Sequence, residues 1–149
     1  MKVHSPYQLT PSKDLSPGNL ILNPEGGELS PALVFGQDNG DLGVLNLAGV
    51  HRGKCGAVGF SRCLVLSAHA ELVLPVQSAG YSPGSGHGQD LQLVIVNGQY
   101  FFTSPNVHKS LLFDVNDGGL KNIPSYTSVI AVSGWKIIAE GHDGVFAQG

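Results

Sequence analysis

An antiparallel all-β fold, either a two-sheet β-sandwich or a partly closed β-barrel with tight hairpins, is what this chain predicts. Three observations carry that expectation. Short apolar runs are punctuated by Asn39-Gly40, Asn97-Gly98, Ser133-Gly134 and Asp143-Gly144, dipeptides that accept the positive φ angles of hairpin turns. The stretch Cys63–Val76, CLVLSAHAELVLPV, alternates strictly. Leu64, Leu66, Ala68, Ala70, Leu72, Leu74 and Val76 share one face, and Cys63, Val65, Ser67, His69, Glu71 and Val73 share the other, as a strand lying on a core requires. No segment carries an apolar stripe at the helical spacing.

The elements follow in order. Residues 1–17 carry three prolines and little periodicity, so they read as an extended arm ahead of a single all-β domain over 18–149. Asn19–Pro24 is a short apolar strand, and Glu25–Glu28 is a turn. Ala32–Gln37 and Leu42–Leu47 form a hairpin around Asp38-Asn39-Gly40-Asp41, with Phe35 expected opposite Val44 and Val34 opposite Leu45. Gly49–Gly56 holds His51, Arg52 and Lys54, a basic loop followed by no helix start or nucleotide signature. Val58 and Phe60 extend the apolar face of the alternating stretch, with a bend near Gly59 where Arg62 interrupts it. Gln77–Asp90, QSAGYSPGSGHGQD, is a Gly/Ser-rich connection or binding loop. Leu91–Val96 and Gln99–Thr103 flank Asn97-Gly98, setting Ile95 opposite Tyr100 and Leu93 opposite Phe102. Leu111–Val115 is a strand, closed by a turn at Asn116–Gly119, and a further turn surrounds Pro124. Ser128–Val132 and Trp135–Ile138 form a third hairpin through Ser133-Gly134. Asp143-Gly144 pairs Glu140–His142 with Val145–Ala147.

Composition narrows the function classes. Of 149 residues, 42% are hydrophobic, enough for a full core. Charged residues are only 13%, and the net charge is −3. That balance gives no basic field for a phosphate backbone or an anionic membrane, so neither nucleic acid nor membrane is an expected partner. The N-terminus shows no signal-peptide pattern and no run spans a bilayer, so a cytoplasmic location is expected. Two cysteines, Cys55 and Cys63, are too few for a secreted disulfide scaffold and read as reduced thiols.

The alternating stretch also aims chemistry at one point. His69 and Glu71 point the same way, and a third ligand from His87 or His108 completes a two-His, one-carboxylate set for a divalent transition metal. The proline and glycine before His87 loosely resemble the second metal motif of the cupin family. Cupins place two histidines around one residue in their first motif, where this chain has one. His69-Ala70-Glu71 also matches the His-Ala-Glu of zinc deaminases, but no Pro-Cys-x-x-Cys follows, which removes that reading. Cys55-Gly56-Ala57-Val58, Val65-Leu66-Ser67-Ala68-His69 and Asp90-Leu91-Gln92-Leu93 resemble trypsin-like proteases around their histidine and aspartate. That resemblance implies a β-barrel hydrolase, but the Gly-Asp-Ser-Gly-Gly that supplies the nucleophile is missing.

The function expected from the residues is therefore non-catalytic: a ligand-binding or self-assembly module without a cofactor. Its partner is a small molecule, glycan, peptide or protein, or copies of itself. Tyr81, His87 and Trp135 are the expected ligand-binding residues, with the aromatic rings as stacking platforms. For Trp135 the competing expectation is a hairpin-closing place in the core. The alternative is a small metal-dependent β-barrel enzyme using His69, Glu71 and His87.

Overall fold

The computed structural model describes residues 2, 4–84, 90–105, 111–124 and 127–149. The first six strands are β1 (Tyr7–Pro11), β2 (Leu20–Asn23), β3 (Ser30–Gly36), β4 (Leu42–Asn46), β5 (Cys55–Ala57) and β6 (Arg62–Leu66). They form one sheet in the order β1-β6-β2-β3-β4-β5. The chain then leaves that sheet and supplies β7 (Ala70–Val73) to another. A second six-stranded sheet follows. It contains β8 (Tyr81–Gly84), β9 (Leu93–Val96), β10 (Gln99–Phe102), β11 (Leu111–Asp114), β12 (Leu120–Asn122) and β13 (Val129–Val132), in the order β12-β11-β10-β9-β13-β8. Finally β14 (Lys136–Ala139) and β15 (Val145–Gln148) join β7 in a small third sheet, β15-β14-β7. Among the described residues every strand pairing is antiparallel, and all three sheets are open. The fold is all-β and sandwich-like rather than a closed barrel.

One core unites the sheets. Leu33, Phe35 and Leu45 from the first, Leu93, Phe102 and Phe113 from the second, and Ile137, Phe146 and Ala147 from the third belong to a single buried cluster. The other faces of the two large sheets are apolar too. Ile21, Val34, Val44 and Cys63 form a second cluster, against which Val58 and Phe60 pack, while Val94, Phe101 and Leu112 form a third. Strands buried on both faces explain how so few charges suffice.

The long alternating stretch keeps its alternation but not its single partner. Leu66 is buried and Ser67, His69, Glu71 and Val73 are exposed, with half-buried residues between them. The backbone changes sheets at Ser67–His69, between β6 and β7. At its first end the expected open face is closed, since Cys63 is buried in the second cluster. At its last end Val76, expected inward, is fully exposed. The expected continuation of one face through Val58 and Phe60 also fails, because both pack on the Cys63 side.

The hairpins divide by turn chemistry. Asn97 and Gly98 both have positive φ, a two-residue turn that fixes the register, and Ile95 pairs with Tyr100 and Leu93 with Phe102 as expected. At Asp38–Asp41 the register is shifted by one: Val34 lies opposite Val44 and Phe35 opposite Gly43. The Gly40 amide donates to Gln37 O, and the Gln37 amide donates to Asp41 O. Only Gly40 of the loop residues has positive φ. This is a three-residue loop ending in a left-handed glycine, which adds the extra residue.

One expected hairpin is absent and another has its first strand displaced upstream. β13 pairs with β8 and β9, and β14 pairs with β7 and β15, so Ser133-Gly134 passes the chain between sheets. The partner of β15 is β14 rather than Glu140–His142. The turn expected around Pro124 is preceded by the unexpected short strand β12. The N-terminal arm is extended from Tyr7 to Pro11 and bonded along β6.

The two large sheets are joined at one point by backbone alone. Gly36 and Gly119 form an isolated parallel bridge. The Gly36 amide donates to Gly118 O, and the Gly18 amide donates to Val34 O. Gly118 has positive φ, and a Cβ there would lie 2.2 Å from Gly18 N and 2.5 Å from Val34 O. Only glycine fits.

Candidate functional site

The polar row stands where alternation puts it. Ser67 is tethered, its amide donating to Pro6 O at 2.8 Å and its Oγ donating to the same oxygen at 2.9 Å. His69 Nε2 lies 3.4 Å from Glu71 Oε1, with side chains 73% and 67% exposed. At that exposure the attraction is screened and contributes little to stability. The pair edges a shallow hollow completed by Ile138, Ala139 and Glu140. It offers two of the three donors expected for a metal. Among the described residues no three His, Cys, Asp or Glu side chains converge as a ligand set, and both His87 and His108 lie outside those residues.

The aromatic candidates sit further inside. Tyr81 is half-buried against the main core, and its hydroxyl donates to Pro75 O at 2.8 Å. Trp135 is 1% exposed, with its ring 5.1 Å from that of Phe102. A Cβ on Gly149 would meet the indole at 2.7 Å. Trp135 therefore presents no face to solvent and occupies the core role weighed against the stacking platform. Its descent into the core is also what turns the chain from the second sheet into the third.

Of the residues that carry the protease resemblance, His69 has a carboxylate neighbour outside the matched strings. The carboxylate beside His69 is Glu71. Cys55 and Cys63 lie on β5 and β6, with β2, β3 and β4 between them, and both are free thiols. Burial pushes the Cys55 thiol pKa up, against smaller opposing effects from hydrogen bonds to Ser104 and backbone, and burial raises that of Cys63 as well. A nucleophilic thiol needs the reverse.

A cleft that the sequence did not disclose lies where the three sheets meet. Its volume is about 260 Å³. Leu20 and Leu33 come from the first sheet, Phe102 from the second, and Ala70, Leu72 and Ile137 from the third. Gly18, Asn116 and Glu71 contribute the polar part of the wall. These six apolar members come from five strands, β2, β3, β7, β10 and β14, so only the packing of sheet on sheet brings them together.

Comparison with protein-family models, curated proteins and solved structures finds no match for this chain.

Proposed function

We propose that this protein is a non-catalytic β-domain that works by binding, holding a small ligand with both polar and apolar groups in the three-sheet cleft or associating with copies of itself. The cleft carries the ligand reading. Small-molecule sites are concave and placed where structural units meet, with volumes of about 300–1,000 Å³. A cleft of about 260 Å³ suits a compact guest of few heavy atoms. The buried state of Trp135 disfavours a glycan, because sugars are held by stacking on open aromatic faces. The test is a methyl NMR titration of Leu72 and Ile137 with a panel of small compounds that carry both polar and apolar groups. Saturable shifts, lost in Ala70→Leu with an unchanged circular dichroism spectrum, are the expected result. Absence of any saturable shift counts against the ligand reading.

A second reading rests on the 3.4 Å approach of His69 to Glu71: a metal-dependent enzyme with a further histidine, His87, completing the site. Metal analysis of untagged protein tests it. Stoichiometric iron, manganese or zinc that disappears in His69→Ala would favour this reading over the binding module.

A further inference from the structure

We propose that the outer face of the third sheet docks a second copy of this chain across a two-fold axis. This rests on the assembly half of the proposed function and is independent of any occupant of the cleft.

The strand register fixes the layout of that face. Lys136 lies between Val73 and Gln148, and Ile138 lies between Glu71 and Val145. Beyond them the Glu140 amide donates to His69 O, which extends the ladder by one step. Ile137, Ala139, Phe146 and Ala147 point into the core, so their neighbours point out. Val73, Ile138 and Val145 are 39%, 41% and 38% exposed. Single exposed aliphatic residues are ordinary. Here three lie together on hydrogen-bonded neighbours of one small sheet, which is the pattern of a contact surface.

Charge selects the occupant. The face is basic at one end, at Lys136, and acidic towards the other, at Glu71 and Glu140, with the aliphatic side chains between. A surface of this kind complements itself when reversed. A two-fold axis running across the strands at the level of Ile138 stacks Ile138 on its copy. It sets Lys136 over the partner's Glu140 and within reach of the partner's Glu71. Stacking without reversal sets like charges together. Isologous contacts of this type are the commonest way identical chains associate. Three aliphatic residues a side fall well short of the roughly 800 Å² per partner of a standard interface, so the association is weak and concentration-dependent.

Sedimentation of the untagged full chain from about 10 μM to about 1 mM, the range of weak contacts, provides the test. A monomer–dimer equilibrium is expected. Lys136→Glu weakens it at least about tenfold by opposing like charges, and Ile138→Asp abolishes it. The double reversal Lys136→Glu/Glu140→Lys restores association to within about threefold of the native chain, with circular dichroism confirming the fold of each variant. A monomer at every concentration overturns both the inference and the assembly half of the proposed function. A dimer indifferent to Lys136→Glu and Ile138→Asp overturns this surface alone. A double variant as weak as the single one overturns the two-fold docking.

Discussion

At Gly118 a single hydrogen atom decides whether two sheets meet. A Cβ would enter the space held by Gly18 N and Val34 O, and the backbone is left-handed as well. Gly118→Ala should therefore cost more than the backbone strain alone, about 1–3 kcal/mol, read as a drop in urea midpoint. Gly98→Ala is the control. Its φ is also positive but nothing lies within 4 Å of the added atom, so about 1 kcal/mol is expected. Equal losses in the two variants would show that Gly118 is conformational only. The thiols make a second residue-scale prediction. Burial holds the pKa of Cys55 and Cys63 above the ordinary value, so alkylation by iodoacetamide at neutral pH should be much slower in native than in urea-unfolded protein.

Between β3 and β4 the side chain of Phe35 lies across Gly43, where a Cβ would fall 2.2 Å from its ring. The same ring packs on Phe113 at 4.7 Å and 68°, so it has nowhere to retreat. Gly43→Val should cost about 1–3 kcal/mol by overpacking. Phe35→Leu in the same chain should recover part of the loss in thermal unfolding, and an additive double variant would refute the contact. How far such pairs were readable in advance depends on how local their cause is. Asn97-Gly98 carries its register in two φ angles, so Leu93–Phe102 was legible. Asp38–Asp41 offered two loop lengths, and the left-handed Gly40 selected the other, moving Phe35 from Val44 to Gly43. The change of sheet at Ser67–His69 and at Ser133-Gly134 has no local signature, because it is decided by where Leu66 and Trp135 find the core. The exposed His69–Glu71 pair was legible from alternation alone. The cleft was not, because Leu20, Leu33 and Phe102 are neighbours only after long-range packing.

On the scale of the molecule, the main core draws on all three sheets, so none is expected to melt alone. Trp135 fluorescence and far-UV circular dichroism should give coincident urea transitions, and separated midpoints would show that a sheet unfolds independently. Alkaline pH should destabilise the fold. Burial raises the pKa of Tyr7, Cys55 and Cys63, so these protons are held more tightly in the native state. Their contribution is complete below the ordinary thiol range, near about 8.5, and is lost as pH rises through the raised values. Urea midpoints at pH 7 and pH 10 measure it, and an unchanged midpoint would contradict it. The glycine bridge between the large sheets has a bearing on the cleft as well. Gly18 is pinned against Gly118, Asn116 begins the same turn, and both border the opening. At Gly18 the rim is main chain held by main chain, and only the Asn116 side chain beside it is free to swing. On that side a visiting molecule would meet a fixed edge, and its girth there would be limited whatever its chemistry.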